Sequence, residues 1–381
     1  MNVSIYSAIP YDVICFSHLR WDFVYQRPQH LMSRFAKHRR VFVVEEPVFG
    51  DMEPSIKAVE RDDNLFVVVP HIPAGLSENS VRELQRALLD EVIEDHDIRN
   101  FVSWYYTPMM LAFSGHLRPL ATVYDCMDEL SAFKFAPPEL HRMEKLLFAR
   151  ADLVFTGGRS LYEAKKEQHR AVYAFPSSID REHFAQALTI NEEMPDQEKI
   201  PSPRIGFIGV IDERMDLDLL GGIADLKPEW SFIMIGPVVK IDEADLPRRG
   251  NIYYLGGKSY DELPRYIAGW DVAMMPFALN ESTRFISPTK TPEYLAAGRP
   301  VVSTPIQDVY TPYGEEGLVH IAGSPENFVR AIQAALDEDA SARRRRVDEF
   351  LHGMSWDNTF AAMAELIEGV VEKGRKTSAA V

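Results

Sequence analysis

The stretch Phe277–Thr304, FALNESTRFISPTKTPEYLAAGRPVVST, decides the fold. It strings together a polar loop, a helix start, a carboxylate near that start, a glycine stop and a β-branched strand. Ser287 and Thr291 each stand directly before a proline, Pro288 and Pro292. A hydroxyl N-cap followed by proline at the first helical position is a helix-opening pair. Gly298 and Pro300 close that helix, and Val301-Val302 opens a buried strand. The first N–H groups of a helix have no intrahelical acceptor and lie at the positive end of its dipole, so they attract an anion. Glu293, about one turn further on, adds a carboxylate that accepts hydrogen bonds from sugar hydroxyls. Phosphates on the amides and a pentose on the carboxylate would suit a nucleotide diphosphate. The plainer alternative is an ordinary capped helix in an α/β sheet.

Outward from this stretch, short β-rich runs alternate with helical patterns, which predicts parallel sheets with crossover helices. In the first half the strands fall near Asp12–Phe16, Val41–Glu45, Leu65–Val69, Phe101–Trp104, Thr122–Tyr124 and Leu153–Phe155. Helices fall at Pro28–Lys37, Ser80–Glu94, Pro138–Ala149 and Ser160–Glu167. A second series restarts at Arg204–Gly209 and continues through Phe232–Ile235, Ile252–Leu255, Val272–Met275, Val301–Ser303 and Leu318–Ile321. Its helices are expected at Asp216–Leu226, Tyr260–Ile267, around Glu293 and at Pro325–Leu336. Between the two series, Thr189–Pro203 carries four acids and three prolines with no apolar period and reads as a linker. The expected organisation is an N-terminal domain 1–188, linker 189–203, a C-terminal domain 204–355 and a closing helix 356–381. The Arg343–Arg346 run is expected on an exposed helical turn.

Two doubly wound domains would face each other across a cleft at the C-terminal ends of their strands, where ligands bind in such sheets. The chain has 381 residues and a net charge of −16, which argues against nucleic acid as a partner. The charge is uneven: residues 1–190 hold 21 basic and 26 acidic side chains, the remainder 20 and 31. In the less acidic half, Arg34, Lys37, His38, Arg39 and Arg40 end a helix, either facing anionic lipid head groups or complementing the helix dipole. Two cysteines, no basic leader and no long uncharged apolar run point to a reducing, cytoplasmic setting without a membrane span.

The run P-x-K-x-x-E-Y-L-A-x-G-x-P-V-V over Pro288–Val302 resembles the nucleotide-sugar-dependent glycosyltransferases of the GT-B fold, in particular glycosyltransferase family 4 enzymes of polysaccharide biosynthesis. The resemblance implies an α/β, GT-B architecture: two Rossmann-like parallel-sheet domains facing a central cleft, with the last helix packing back on the N-terminal domain. It implies that Glu293 binds the donor ribose and that backbone near Ser287, Thr289 and Lys290 approaches the diphosphate. Gly209, in a strand-to-helix turn, and Arg214 after it match the phosphate loop, with Lys290 as second cation. Gly256 and the residues after it match the nucleobase wall, where recognition through backbone leaves uridine, guanosine and adenosine open, uridine first by family frequency. The family's earlier glutamate, eight positions before Glu293, is Phe285 here, and Glu281 is the nearest upstream acid.

On the N-terminal side, the loop Phe16–His30 gathers His18, Trp21, Arg27 and His30 directly before a helix and is the expected acceptor or phosphate side. Asp125 and Asp128 follow a strand and reach the cleft edge. Asp128 is the candidate base for an inverting reaction and an orienting group for a retaining one, with Asp125 and His18 beside it as catalytic candidates. Either aspartate equally suits a helix cap. Asp95-His96-Asp97 and Asp216-Leu217-Asp218 mimic metal-binding acid pairs, but both sit at helix ends, where acids have a local role. The resemblance implies cations and helix dipoles in place of a metal, and no cofactor beyond the nucleotide-sugar co-substrate. The expected function is transfer of a sugar from a nucleotide diphosphate to a hydroxyl of a glycan or lipid-linked acceptor, with peripheral contact at the inner membrane face left open. The rivals are a nucleotide-sugar epimerase or hydrolase of the same fold, and a non-catalytic nucleotide-sugar or glycan-binding subunit.

Overall fold

The computed structural model describes residues 10–378. Its first sheet holds nine strands: β1 Asp12–Phe16, β2 Val41–Val44, β3 Val48–Gly50, β4 Ser55–Asp62, β5 Leu65–Pro73, β6 Phe101–Tyr105, β7 Ala121–Cys126, β8 Leu153–Thr156 and β9 Val172–Ala174. The order is β3-β5-β2-β1-β6-β7-β8-β9, with β4 antiparallel on β5 and the other pairs parallel. The central strands β1, β2, β6 and β7 are Val-, Phe- and Tyr-rich and buried along almost their whole length, as a sheet covered on both faces requires.

The second sheet holds β10 Arg204–Ile208, β11 Ser231–Ile235, β12 Ile252–Gly256, β13 Val272–Met275, β14 Val301–Ser303 and β15 Val319–Ile321, in the order β12-β11-β10-β13-β14-β15. All its pairs are parallel. Strand order reverses between β10 and β13, and a crevice opens at such a reversal because the helices on its two sides lie on opposite faces.

Three hydrophobic clusters support the two sheets. One belongs to the second sheet; the other two lie on opposite faces of the first. The helix Trp356–Ser378 places Trp356, Phe360, Met363, Ile367 and Val371 in one first-sheet cluster. Ion pairs fix the same helix: Arg34 to Asp357 at 2.7 Å and Arg39 to Glu368 at 3.1 Å. Arg40 pairs with Asp12 at 2.6 Å. Three of the arginines that suggested a lipid-facing cluster are thus bound to acids of the protein itself.

The structure departs from the sequence expectations in four places. Strands β3, β4 and β9 were not foreseen: two are three-residue edges, and β4 presents only Ile56 and Ala58 to a hydrophobic cluster. The segment 189–203 is no free linker, since Met194 and Ile200 join the second core. Gln197 also receives the Trp270 indole N–H at 2.9 Å and donates to the Tyr266 carbonyl at 2.9 Å. The arginine run lies in a full helix, Ala340–Phe350, and Arg343 is buried, its Nη2 donating to the Gly298 carbonyl at 2.9 Å. Finally, the helix bearing Glu293 is Lys290–Ala296, opened by Thr289 instead of Ser287 or Thr291. Thr291 is fully buried inside it with its hydroxyl toward Met275 Sδ. Pro292 still fits, because the first turn asks for no N–H donor.

Candidate active site

The residues expected on the donor side meet where the second sheet reverses. Strand β10 runs into Gly209, whose φ of +149° is a glycine conformation, and whose N–H donates to the Ile235 carbonyl at 2.8 Å. A Cβ at Gly209 would lie 2.7 Å from Lys290 Nζ, and one at Gly236, after β11, would strike the Gly209 carbonyl. Two bare turns therefore press together, and the Lys290 side chain lies against the Gly209 turn. The Tyr294 hydroxyl accepts from the Ile208 N–H at 2.8 Å, tying the Lys290–Ala296 helix to the end of β10. A left-handed Gly298 ends that helix, with Gly298 N–H on the Leu295 carbonyl and Arg299 N–H on the Tyr294 carbonyl, the paired bonds of a Schellman stop.

Lys290 and Glu293 form one electrostatic unit a helical turn apart. Burial pushes the Lys290 ammonium to an unusually low pKa, with Arg214 adding repulsion and Glu293 opposing it. Burial raises the Glu293 carboxyl, and Lys290 opposes that rise. Charging either group therefore carries a cost, which for Lys290 an incoming anion would reduce.

Two cavities share Val210 in their walls, and Lys290 lines one of them. The larger, about 490 Å³, is lined by the turns after β10, β11 and β12 (Gly209, Gly236, Gly257, Tyr260) and roofed from the other domain by Trp21–Tyr25 and Gln29. The smaller, about 100 Å³, is lined by Arg27, Asp128, Gly157, Arg214, Ser287, Thr289 and Lys290 among others. Glu293 acts electrostatically on both Lys290, in the small cavity, and Tyr260, in the large one. Gly256 takes φ +71° and turns the chain out of β12, while its neighbour Gly257 supplies the cavity wall.

Arg214 is held by its near neighbour: Nη2 lies 2.7 Å from Asp212 Oδ2 and Nε 3.0 Å from Oδ1. Its guanidinium also rests 5.5 Å from the Phe133 ring centroid, a contact from the opposite domain. It nonetheless lines the small cavity. Glu281 points to solvent, its side chain 78% exposed and 3.6 Å from Arg284. Phe285 packs on a hydrophobic cluster of the first domain. Neither supplies a carboxylate to the small cavity, where Asp128 is the one acid among the described lining residues.

On the N-terminal side the candidates separate. Arg27 and Asp125 form a buried fork, Nη2 to Oδ1 at 2.8 Å and Nε to Oδ2 at 3.0 Å, and Arg27 Nη1 donates to the Phe175 carbonyl at 2.7 Å. The Asp125 oxygens are thereby engaged. Asp128 has no ion-pair partner within bonding distance among the described residues. Burial raises its pKa to about 6, against the pull of Arg214, Arg27 and Lys290. His18 is pushed down to about 4 by burial and Lys240, and its Nδ1 is buried without a partner. His30 lies outside both cavities, stacked on Trp356 at 4.6 Å and edge-on to Tyr25 at 4.7 Å, with burial holding its pKa near 3. Trp21, expected on the acceptor side, lines the larger cavity together with the turns after β10, β11 and β12. The mimics of metal-binding acid pairs have local partners: Asp216 accepts from the Leu219 N–H, and Asp97 pairs with Arg99.

Residues 202–338 match the family model described as "Glycosyl transferases group 1". The second sheet's domain thus resembles a group 1 glycosyl transferase domain. A curated relative, the "Putative teichuronic acid biosynthesis glycosyltransferase TuaH" of Bacillus subtilis, is 25% identical over 271 residues, covering 64% of this chain and 66% of the relative, just under two thirds of its length. Among solved structures, sucrose-phosphate synthase from Thermosynechococcus elongatus aligns at TM-score 0.69 with 14% identity, over 97% of this chain and 100% of that one. Anabaena HepE, solved in complex with UDP and glucose, aligns at 0.63 with 15% identity, over 93% and 98%. The fold is GT-B, and the family model and curated relative agree with a glycosyltransferase of the family 4 type. The sequence pattern missed Gly158 and Ser177, which follow β8 and β9 of the first sheet, and Asp308 in the matched region, described further below. Their one visible signal was a Gly-Gly pair after a buried strand, the same cue that singled out Gly209.

Proposed function

We propose that this protein transfers a sugar from a nucleotide diphosphate, a uridine nucleotide first, to a hydroxyl of a glycan or lipid-linked acceptor. The observation that carries this reading is the partly buried Lys290–Glu293 unit, whose lysine lines the small cavity and lies against the bare Gly209 turn. In this reading the base and ribose occupy the larger cavity, with Glu293 accepting from the ribose hydroxyls. The diphosphate meets Lys290, Arg214 and the backbone near Ser287 and Thr289. These groups are in place before reaction, so they stabilise the charge that develops on the leaving diphosphate without reorganising. The UDP in the HepE structure and the UDP-2-fluoro glucose in an Escherichia coli neighbour of the same fold support a uridine donor.

The acceptor would enter from the N-terminal side and meet Asp128. With a pKa near neutrality, Asp128 suits removal of a hydroxyl proton in an inverting transfer. In a retaining transfer it would orient the acceptor while the donor phosphate takes the proton. The teichuronic acid biosynthesis relative supports a polysaccharide or its precursor as acceptor, and in this reading the protein works at the cytoplasmic face of the membrane. Among the described residues no helix is long and apolar enough to cross a membrane, so such an association would be peripheral.

Calorimetric titration of UDP tests the assignment. The wild type is expected to bind, and Glu293→Ala to lose about tenfold or more in affinity, the loss of one charged hydrogen-bonding group. No heat with UDP, GDP or ADP, or equal affinities for the two proteins, would overturn it. A panel of acceptors and an acceptor-free control then separates transfer from epimerisation, hydrolysis and simple binding.

A further inference from the structure

Asp308 belongs to the second sheet's domain, yet its carboxylate serves the first. Its Oδ2 accepts from the Arg159 N–H at 2.8 Å and its Oδ1 from the Ser160 N–H at 3.0 Å, at the start of the Arg159–Lys165 helix. Beside it, the Ser177 hydroxyl donates to the Ser287 carbonyl at 2.6 Å, a second bond across the same boundary. Asp308 is 7% exposed, so both of its bonds are shielded from water.

The Gly157-Gly158 pair that ends β8 lies between these elements. A Cβ on Gly157 would strike the Met127 carbonyl, in the Asp128 loop. One on Gly158 would strike Asp308 Oδ2 and approach Ser287 Cβ to 2.9 Å, on the donor side. Gly158 has φ −162°, an extended conformation open to any residue, so its own domain does not require glycine there. The requirement comes from the opposite domain. Two bare residues thus set the spacing between the Asp128 loop and the Ser287–Lys290 loop, and Asp308 fastens that spacing.

We infer that Asp308 and Gly158 form an interdomain clasp, in which Asp308 is a positioning residue that holds the acceptor-side Asp128 at transfer distance from the donor-side Lys290 loop. This rests on the transferase reading above. Neither residue needs to touch the nucleotide, so donor binding and transfer should depend on them differently.

The test uses Asp308→Asn, Gly158→Ala and the double variant of the full chain. An amide would offer one acceptor and set its NH₂ against the second N–H, while the alanine methyl would occupy the carboxylate's place. Each single variant should show a larger radius of gyration by solution X-ray scattering and a transfer kcat lowered by tenfold to about a hundredfold, while Asp308→Asn keeps UDP affinity within about twofold of wild type. The double variant should be no worse than the more affected single one, because both break the same contact. Unchanged scattering in both single variants, or independent and multiplicative losses in the double variant, would overturn the clasp. A wild type that binds no nucleotide would instead sink the transferase reading, with scattering still deciding the clasp.

Discussion

Arg27 Nη2 lies 2.8 Å from Asp125 Oδ1, and neither side chain is more than 3% exposed. Such a pair is stabilising only while complete, since removing one partner strands a charge in a medium that cannot solvate it. Arg27→Ala should therefore lower unfolding stability by about 3–5 kcal/mol, read by urea denaturation at pH 7. An unchanged midpoint would show that water reaches the site.

Gly209→Ala should separate binding from stability. The added methyl meets the mobile end of Lys290 and a backbone φ of +149°, costing on the order of 1–3 kcal/mol of stability. Displacement of the ammonium should also weaken UDP binding about tenfold, one cation's share of a diphosphate site. Calorimetry and thermal melting of the same sample report both. Undiminished affinity would place the diphosphate elsewhere.

Asp128→Asn is expected to trade turnover for stability. The folded-state pKa of about 6 lies above the ordinary carboxylate value, so the charged form is disfavoured by folding. The resulting penalty is absent below about pH 4 and fully felt above about pH 6. At pH 7 the asparagine variant should be more stable by about 1–3 kcal/mol. If Asp128 takes the acceptor proton, kcat/KM of the wild type should fall as pH drops through 6, and the variant should lose that limb. A variant with full activity would remove Asp128 from the reaction.

His30 is stacked neutral on Trp356, with a folded-state pKa near 3. The unfolded chain takes up a proton below about pH 6.5 that the folded chain refuses, so this residue's contribution is present above that pH and lost as pH falls toward 3. Replacing it by phenylalanine keeps a ring in the stack and removes the titration. Between pH 7 and 4 the variant should lose up to about 3 kcal/mol less stability than wild type. Parallel curves of stability against pH would refute the buried, neutral assignment.

Much of the fold was legible because buried parallel strands announce themselves as short β-branched runs. Asp12–Phe16, Val272–Met275 and Val301–Ser303 coincide with β1, β13 and β14. Weak edges such as β3 and β9 carry too few buried residues to leave a pattern. The opening of the helix bearing Glu293 was foreseen two residues to either side of Thr289, because two hydroxyl-proline pairs compete in sequence, whereas Thr291 lies buried inside the helix with its hydroxyl toward Met275.

The candidate site was legible only where its residues are close in the chain. Lys290 and Glu293 are a helical turn apart, so their shared face follows from 3.6 residues per turn. Side chains that look alike in sequence were sorted by what they meet in space. Asp125 found Arg27 and was closed off; Asp128, three residues later, was left open beside Arg214, Arg27 and Lys290. His30 found Trp356, 326 positions away, and became packing. The sequence alone determined two successions of strand, glycine turn and helix, because periodicity and turn chemistry are local. Tertiary structure alone decided which carboxylate faces the cleft and that Asp308 crosses it, because burial and pairing depend on residues distant in the chain.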